Sequence, residues 1–182
     1  RRALLGAAGW EKVKGRASTA GVTPSGILMA AYAEVLAAWS KSSHFCINIT
    51  LFNRLPVHKQ INDIFGDFTS LTFLEVDRPV RAGFEARARH IQNQMLRDME
   101  HRWFSGVQVL RELGKKTSRS RVNIMPVVFT SNLMAGMGGK DTGPLGNAGR
   151  ILNGVSQTPQ VWLDLQVHED GGDLVIFWDA LE

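Results

Sequence analysis

Gln160-Val161-Trp162-Leu163-Asp164-Leu165-Gln166-Val167, then Asp170-Gly171-Gly172-Asp173, then Leu174-Val175-Ile176-Phe177-Trp178, is the stretch that decides the fold. Two β-favouring runs flank a turn whose paired glycines accept positive φ, so the segment reads as a hairpin with strands over 160–167 and 174–178. Upstream, Pro126-Val127-Val128-Phe129-Thr130-Ser131 is apolar on consecutive positions, as in a strand covered on both faces. Alternation along the first hairpin strand places Gln160, Trp162 and Asp164 on one face and Val161 and Leu163 on the other. That face then carries an amide, an indole and a carboxylate, and a lone carboxylate is costly to bury unless it is paired or used. Two readings stand for Asp164: a strand-end carboxylate bonded to backbone, or the acid–base group of a pocket.

Working outward, Phe45 to Phe52 alternates and is β-branched, and Phe68 to Val76 repeats the pattern after a loop. Helices come first and between. Gly9 to Ala20 carries Trp10, Val13 and Ala17 on one stripe, with Gly21 as its stop. Thr23 caps a second helix with Pro24 at its first position; Ile27, Leu28, Ala31, Val35, Leu36 and Trp39 repeat at helical spacing and are expected to face inward. A long helix over 82–101 turns Phe84, Ala88, Ile91, Met95 and Met99 inward. Ser105 caps a shorter one that Gly114 closes, before a basic loop over 115–121. Met134 to Gly149 is glycine-rich and reads as a loop. The order of elements specifies an α/β fold, a mixed β-sheet packed with helices.

Composition narrows the function. The chain has 182 residues, 44% hydrophobic and 21% charged, with a formal charge of +4, which is one folded domain rather than a disordered segment. Basic and acidic residues are interleaved, unlike the concentrated positive face of a nucleic-acid binder. One cysteine excludes an intramolecular disulfide framework and a cysteine-clustered metal site. No apolar run approaches the roughly 20 residues that span a bilayer, and a cytoplasmic setting is expected. The chain opens on Arg1-Arg2 and stops inside ordered sequence, which reads as a piece of something longer.

Mechanistic motifs are scarce. There is no P-loop, His-Glu-x-x-His or Gly-x-Ser-x-Gly, and Gly136-Met137-Gly138-Gly139 neither follows a strand cleanly nor opens a helix. The five histidines are scattered, and no metal site is expected. Cys46 reads as an inert thiol in mid-strand. Besides Asp164, the informative polar residues are Thr130 and Ser131, which end a run that otherwise reads as buried.

Four ordered segments resemble signatures of the heterocyclization domains of nonribosomal peptide synthetases, as in siderophore assembly lines. They are Thr23-Pro24-Ser25 through Trp39-Ser40, Gly66-Asp67-Phe68-Thr69-Ser70-Leu71, Pro126 to Leu133, and Ser156-Gln157-Thr158-Pro159-Gln160-Val161-Trp162-Leu163-Asp164 with Trp178-Asp179. The resemblance implies a chloramphenicol-acetyltransferase-like lobe of the condensation-domain superfamily, in which two lobes surround a tunnel. Upstream and downstream peptidyl carrier proteins would deliver thioesters on 4'-phosphopantetheine, with an adenylation domain adjacent and no cofactor bound directly. The implied activity is amide formation with Cys, Ser or Thr, then cyclodehydration to a thiazoline or oxazoline. An Asp-x-x-x-x-Asp motif of the family's first lobe has no match here, so residues 1–182 are expected to be the C-terminal lobe, with the N-terminal lobe absent and the fragment inactive alone. The match puts Asp164 and Thr130 at positions implicated in cyclodehydration, with Asn53, Ser131, Gln160 and Trp162 as substrate-binding candidates. Leu165 departs from the His or Asn that related sequences often carry. A competing expectation is a non-catalytic lobe that only docks carrier proteins; nucleic acid and membrane are not expected partners.

Overall fold

The computed structural model describes residues 1–42, 44–77, 82–117, 125–133 and 160–181. Its elements in chain order are β1 (Arg2–Leu5), α1 (Ala7–Thr19), α2 (Pro24–Trp39), β2 (His44–Phe52), β3 (Thr69–Asp77), α3 (Phe84–Glu100), α4 (Gly106–Thr117), β4 (Val127–Ser131), β5 (Leu163–Asp170) and β6 (Asp173–Ala180). The strands form one six-stranded sheet in the order β1-β6-β5-β4-β2-β3. It is mixed: β4 runs parallel to both β2 and β5, and the remaining pairs are antiparallel.

Local chemistry sets most boundaries. At the end of α1, Val22 N–H bonds Ala17 O at 2.9 Å and Gly21 N–H bonds Ser18 O at 3.0 Å, with Gly21 at φ 66°, which is a Schellman stop. Thr23 Oγ1 accepts from Gly26 N–H at 3.0 Å and Pro24 opens α2, as expected. Gly171 and Gly172 turn the β5–β6 hairpin with φ of 57° and 91°.

One sheet face packs against helices. Trp10, Ala30, Tyr32, Ala88 and Ile91 meet Ile47, Ile49, Leu74, Val76, Phe129, Val167 and Leu174 in a single core. Strand alternation therefore sends Cys46, Asn48, Thr50, Val128, Thr130, Asp164, Gln166 and His168 to the opposite face. At the β3 edge that opposite face meets α4, where a Cβ on Gly106 would lie 3.0 Å from the Phe73 ring. Val128 and Phe129 are both buried although they point opposite ways, so β4 is covered on both faces, as its sequence specifies.

Several expectations are corrected. The α2 stripe holds in part: Ile27, Leu28 and Leu36 pack against the core beside the buried Gly26, Met29, Ala30, Tyr32, Ala33 and Ala37, whereas Ala31 and Val35 face out and Trp39 is 88% exposed. The helix is apolar nearly all round, so periodicity supplies no phase, and the close approach of α3 selects the small residues. Phe84 is exposed at the first turn of α3, whereas Ala88 and Ile91 are buried. Helix α4 runs past Gly114 to Thr117, so the first residues of the expected basic loop are helical and Lys115 pairs with Glu112 at 2.6 Å. Ser105 caps α4 as expected, its Oγ accepting from Gln108 N–H at 3.4 Å, and Ser105 N–H in turn donates to Gln108 Oε1 at 2.7 Å. Strand β5 begins at Leu163 rather than Gln160, and β1 gave no signal in so short a run. The glycine-rich stretch 134–149, residues 118–121 of the basic stretch and residues 156–159 lie outside the described residues. No single helix among the described residues is long and apolar enough to cross a membrane.

Candidate active site

The sheet face turned away from α1, α2 and α3 carries a row of polar side chains across four neighbouring strands. Thr50 on β2 accepts from Thr130 Oγ1 on β4 at 3.0 Å. Thr130 stands in register with Gln166 on β5. Gln166 Nε2 donates to Asp164 Oδ2, two residues back on the same face, at 2.7 Å. The other carboxylate oxygen, Asp164 Oδ1, is buried and has no partner among the described residues. The row ends at β6, where Asp179 is the register partner of Asp164.

This setting tunes the carboxyl. Burial pushes Asp164 above the ordinary value of 3.8, the Gln166 hydrogen bond pulls it down, and the charge of Asp179 pushes it up again, for a net rise. Tyr32 of α2 is also driven up, first by burial and then by the charge of Asp164, and its Oη is buried without a partner among the described residues. A carboxyl with one oxygen held, one free and a raised pKa is equipped to move a proton.

The remaining sequence candidates do not all join it. Thr130 is on the same face as Asp164 but bonds Thr50, with Gln166 placed between the two catalytic candidates. Ser131 faces the helices instead: its Oγ lies 2.7 Å from Ser25 Oγ at the start of α2, and Leu133 N–H donates to it at 3.4 Å. The one-residue alternation separates Ser131 from Thr130. Gln160 precedes β5 with φ of 69° and is exposed, so strand alternation does not align it with Asp164. Trp162 also precedes the strand, its N–H bonding Pro126 O at 2.7 Å and its side chain 59% exposed. Asn53 follows β2 and donates from Nδ2 to Arg102 O at 3.3 Å, tying the strand end to the turn between α3 and α4. The residues missed by reading the sequence are Gln166 and Thr50. Gln166 was legible two positions from Asp164 on an alternating strand, whereas Thr50 needed the β2–β4 pairing.

Other titratable groups serve elsewhere. His44 Nε2 contacts Glu75 Oε1 at an exposed strand end. The Cys46 thiol is pushed up by burial and then by Glu75, which disfavours the thiolate. His168 stacks on Phe177 with ring centroids 5.6 Å apart. Among the described residues no three His, Cys, Asp or Glu side chains gather to hold a metal.

No protein-family model matches the chain. Its fold matches the cyclization-docking bidomain of the nonribosomal peptide synthetase EpoB from Sorangium cellulosum, with a TM-score of 0.81 and 40% identity over 99% of this chain and 36% of that one. The architecture is thus the chloramphenicol-acetyltransferase-like lobe, a mixed sheet packed with helices. Among curated proteins, the chain is 42% identical over 178 residues to pyochelin synthetase PchF of Pseudomonas aeruginosa, covering 98% of this chain and 10% of the relative. It is 40% identical over 171 residues to phenyloxazoline synthase MbtB of Mycobacterium tuberculosis, covering 92% of this chain and 12% of the relative. Nearly the whole chain is thus similar to a part of each of these proteins, and it spans about a tenth of the length of these curated relatives.

Proposed function

We propose that the chain is the C-terminal lobe of a heterocyclization domain that joins a carrier-bound acyl or peptidyl thioester to Cys, Ser or Thr and closes the resulting amide to a thiazoline or oxazoline. The observation that carries this reading is the row Thr50–Thr130–Gln166–Asp164, with Asp164 Oδ1 buried and without a partner among the described residues. The names cyclization-docking bidomain and phenyloxazoline synthase support it.

The chemistry follows from the carboxyl. The substrate's side-chain sulfur or oxygen attacks the amide carbonyl carbon, and its proton passes to the Asp164 carboxylate. The carbonyl oxygen takes up that proton as a hydroxyl. The C–O bond then breaks, and the oxygen leaves as water with the amide nitrogen's proton, so that a C=N bond closes the ring. A raised pKa makes Asp164 a stronger base in the first step and leaves it able to return the proton in the second. Thr130, on the same face, holds the tetrahedral oxygen.

The lobe works with an N-terminal lobe of the same domain, with upstream and downstream peptidyl carrier proteins bearing 4'-phosphopantetheine, and with an adjacent adenylation domain, in the cytoplasm. Its formal charge of +4 suits acidic carrier surfaces. In the intact synthetase, Asp164→Ala is expected to let linear amide accumulate while ring formation falls by about 10²- to 10⁴-fold. Equal loss of amide and ring, or an unchanged ring yield, would overturn the reading.

A further inference from the structure

Gln166 has no part in the catalytic assignment above, yet it is the residue bonded to the Asp164 side chain. Its Nε2 donates to Oδ2 at 2.7 Å, and Oδ1 is buried with no partner among the described residues. The donor occupies one carboxylate oxygen and so fixes the rotation of the carboxyl about its Cβ–Cγ bond. Gln166 also stands in register with Thr130, whose hydroxyl donates to Thr50, so it neighbours both catalytic candidates on the same face. Strands β4, β5 and β6 fix the backbone on both sides of this pair, so its geometry is held by the sheet and not by a loop.

We infer that Gln166 is a positioning residue: its amide, held by the sheet, fixes the orientation of the Asp164 carboxyl for proton transfer. This rests on the proposed role of Asp164. Among the described residues, few groups act on the Asp164 carboxyl. Asp179 on β6 opposes ionisation, Val128 on β4 offers no charge, and Tyr32 on α2 is itself held protonated in the field of Asp164. On β5 the Gln166 amide is the group that favours the charged form. His168, next on that face, is set by burial, Asp170 and Arg2. Losing the amide therefore leaves burial and Asp179 unopposed, and the carboxyl rises further.

The test measures ring-to-amide ratio in single turnovers of the intact synthetase across pH, comparing wild type, Gln166→Met, Gln166→Glu and Asp164→Asn. Methionine keeps the length of glutamine without the donor. Gln166→Met is expected to lower ring formation about tenfold at neutral pH, the loss of one charge-assisted hydrogen bond, and to move the acid limb of the profile to higher pH. Gln166→Glu adds a second carboxyl beside Asp164 and is expected to move that limb further, which serves where methionine is not tolerated. An acid limb at the wild-type midpoint in both variants overturns the positioning role. If Asp164→Asn itself keeps full ring formation, the reading of Asp164 fails and the inference falls with it; if Asp164→Asn loses the ring and the Gln166 variants do not shift the limb, the inference alone fails.

Discussion

Asp164 of β5 and Asp179 of β6 stand opposite each other as register partners across an antiparallel ladder. Two carboxylates in that relation destabilise the sheet when both are charged. Burial adds to the effect at Asp164, and the Gln166 amide offsets part of it. The fold tolerates an unfavourable pair at the point where the proposed chemistry needs a proton carrier, which is the usual relation between a working site and stability.

The first prediction concerns this pair. Because the folded state holds the Asp164 carboxyl above its ordinary 3.8, the favourable contribution belongs to the protonated form. It is present at pH below the ordinary value and is lost as pH rises through the raised one. Asp164→Asn, which cannot ionise, should raise the melting temperature near neutral pH by about 1–3 °C. The gain should shrink as the pH is lowered below 3.8. Thermal unfolding from acid to neutral pH measures it, and a gain that grows toward acid pH contradicts it.

Trp10 supplies the opposite sign. It is fully buried, and its Nε1 donates to Glu169 Oε2 at 2.7 Å. The Glu169 carboxyl is held below its ordinary 4.5, first by the Trp10 bond, against burial, with Lys14 helping. Its contribution is therefore present above 4.5 and lost as pH falls through the depressed value. Trp10→Phe should cost about 2 kcal/mol near neutral pH, and part of that cost should disappear in acid. Urea unfolding of both proteins at neutral and acid pH checks this; a cost that is constant or increases toward acid would show that the bond to Glu169 is not its source.

Helix α2 gives a third test, of phase. Ala30 is fully buried whereas Trp39 is 88% exposed. Ala30→Leu forces three carbons into a packed interface and should cost about 1–3 kcal/mol. Trp39→Gln should change stability by less than about 0.5 kcal/mol. Equilibrium denaturation of the two variants decides, and the reverse ranking would mean that the helix packs with the phase its apolar repeat suggests.

What the sequence by itself determined is what rests on neighbours along the chain. Gly21 in the left-handed region, Thr23 with Pro24, the Ser105–Gln108 box and the paired glycines at 171 and 172 each satisfy or redirect nearby backbone groups, so their outcome was readable in place. The β-branched runs and the both-sided apolar β4 were legible for the same reason, and so was Asp164 as the residue that a strand has no structural reason to bury. The tertiary structure alone decided which side of an all-round apolar α2 faces inward, because packing against α3 chooses by size and not by period. It also decided that β4 lies between β2 and β5, which brings Thr50, Thr130 and Gln166 from three separate segments onto one face with Asp164. Alternation then separated Thr130 from Ser131, whose side chains a sequence shows only as neighbours. Residue type and local spacing specify what each strand is; only the pairing of strands specifies which side chains share a site.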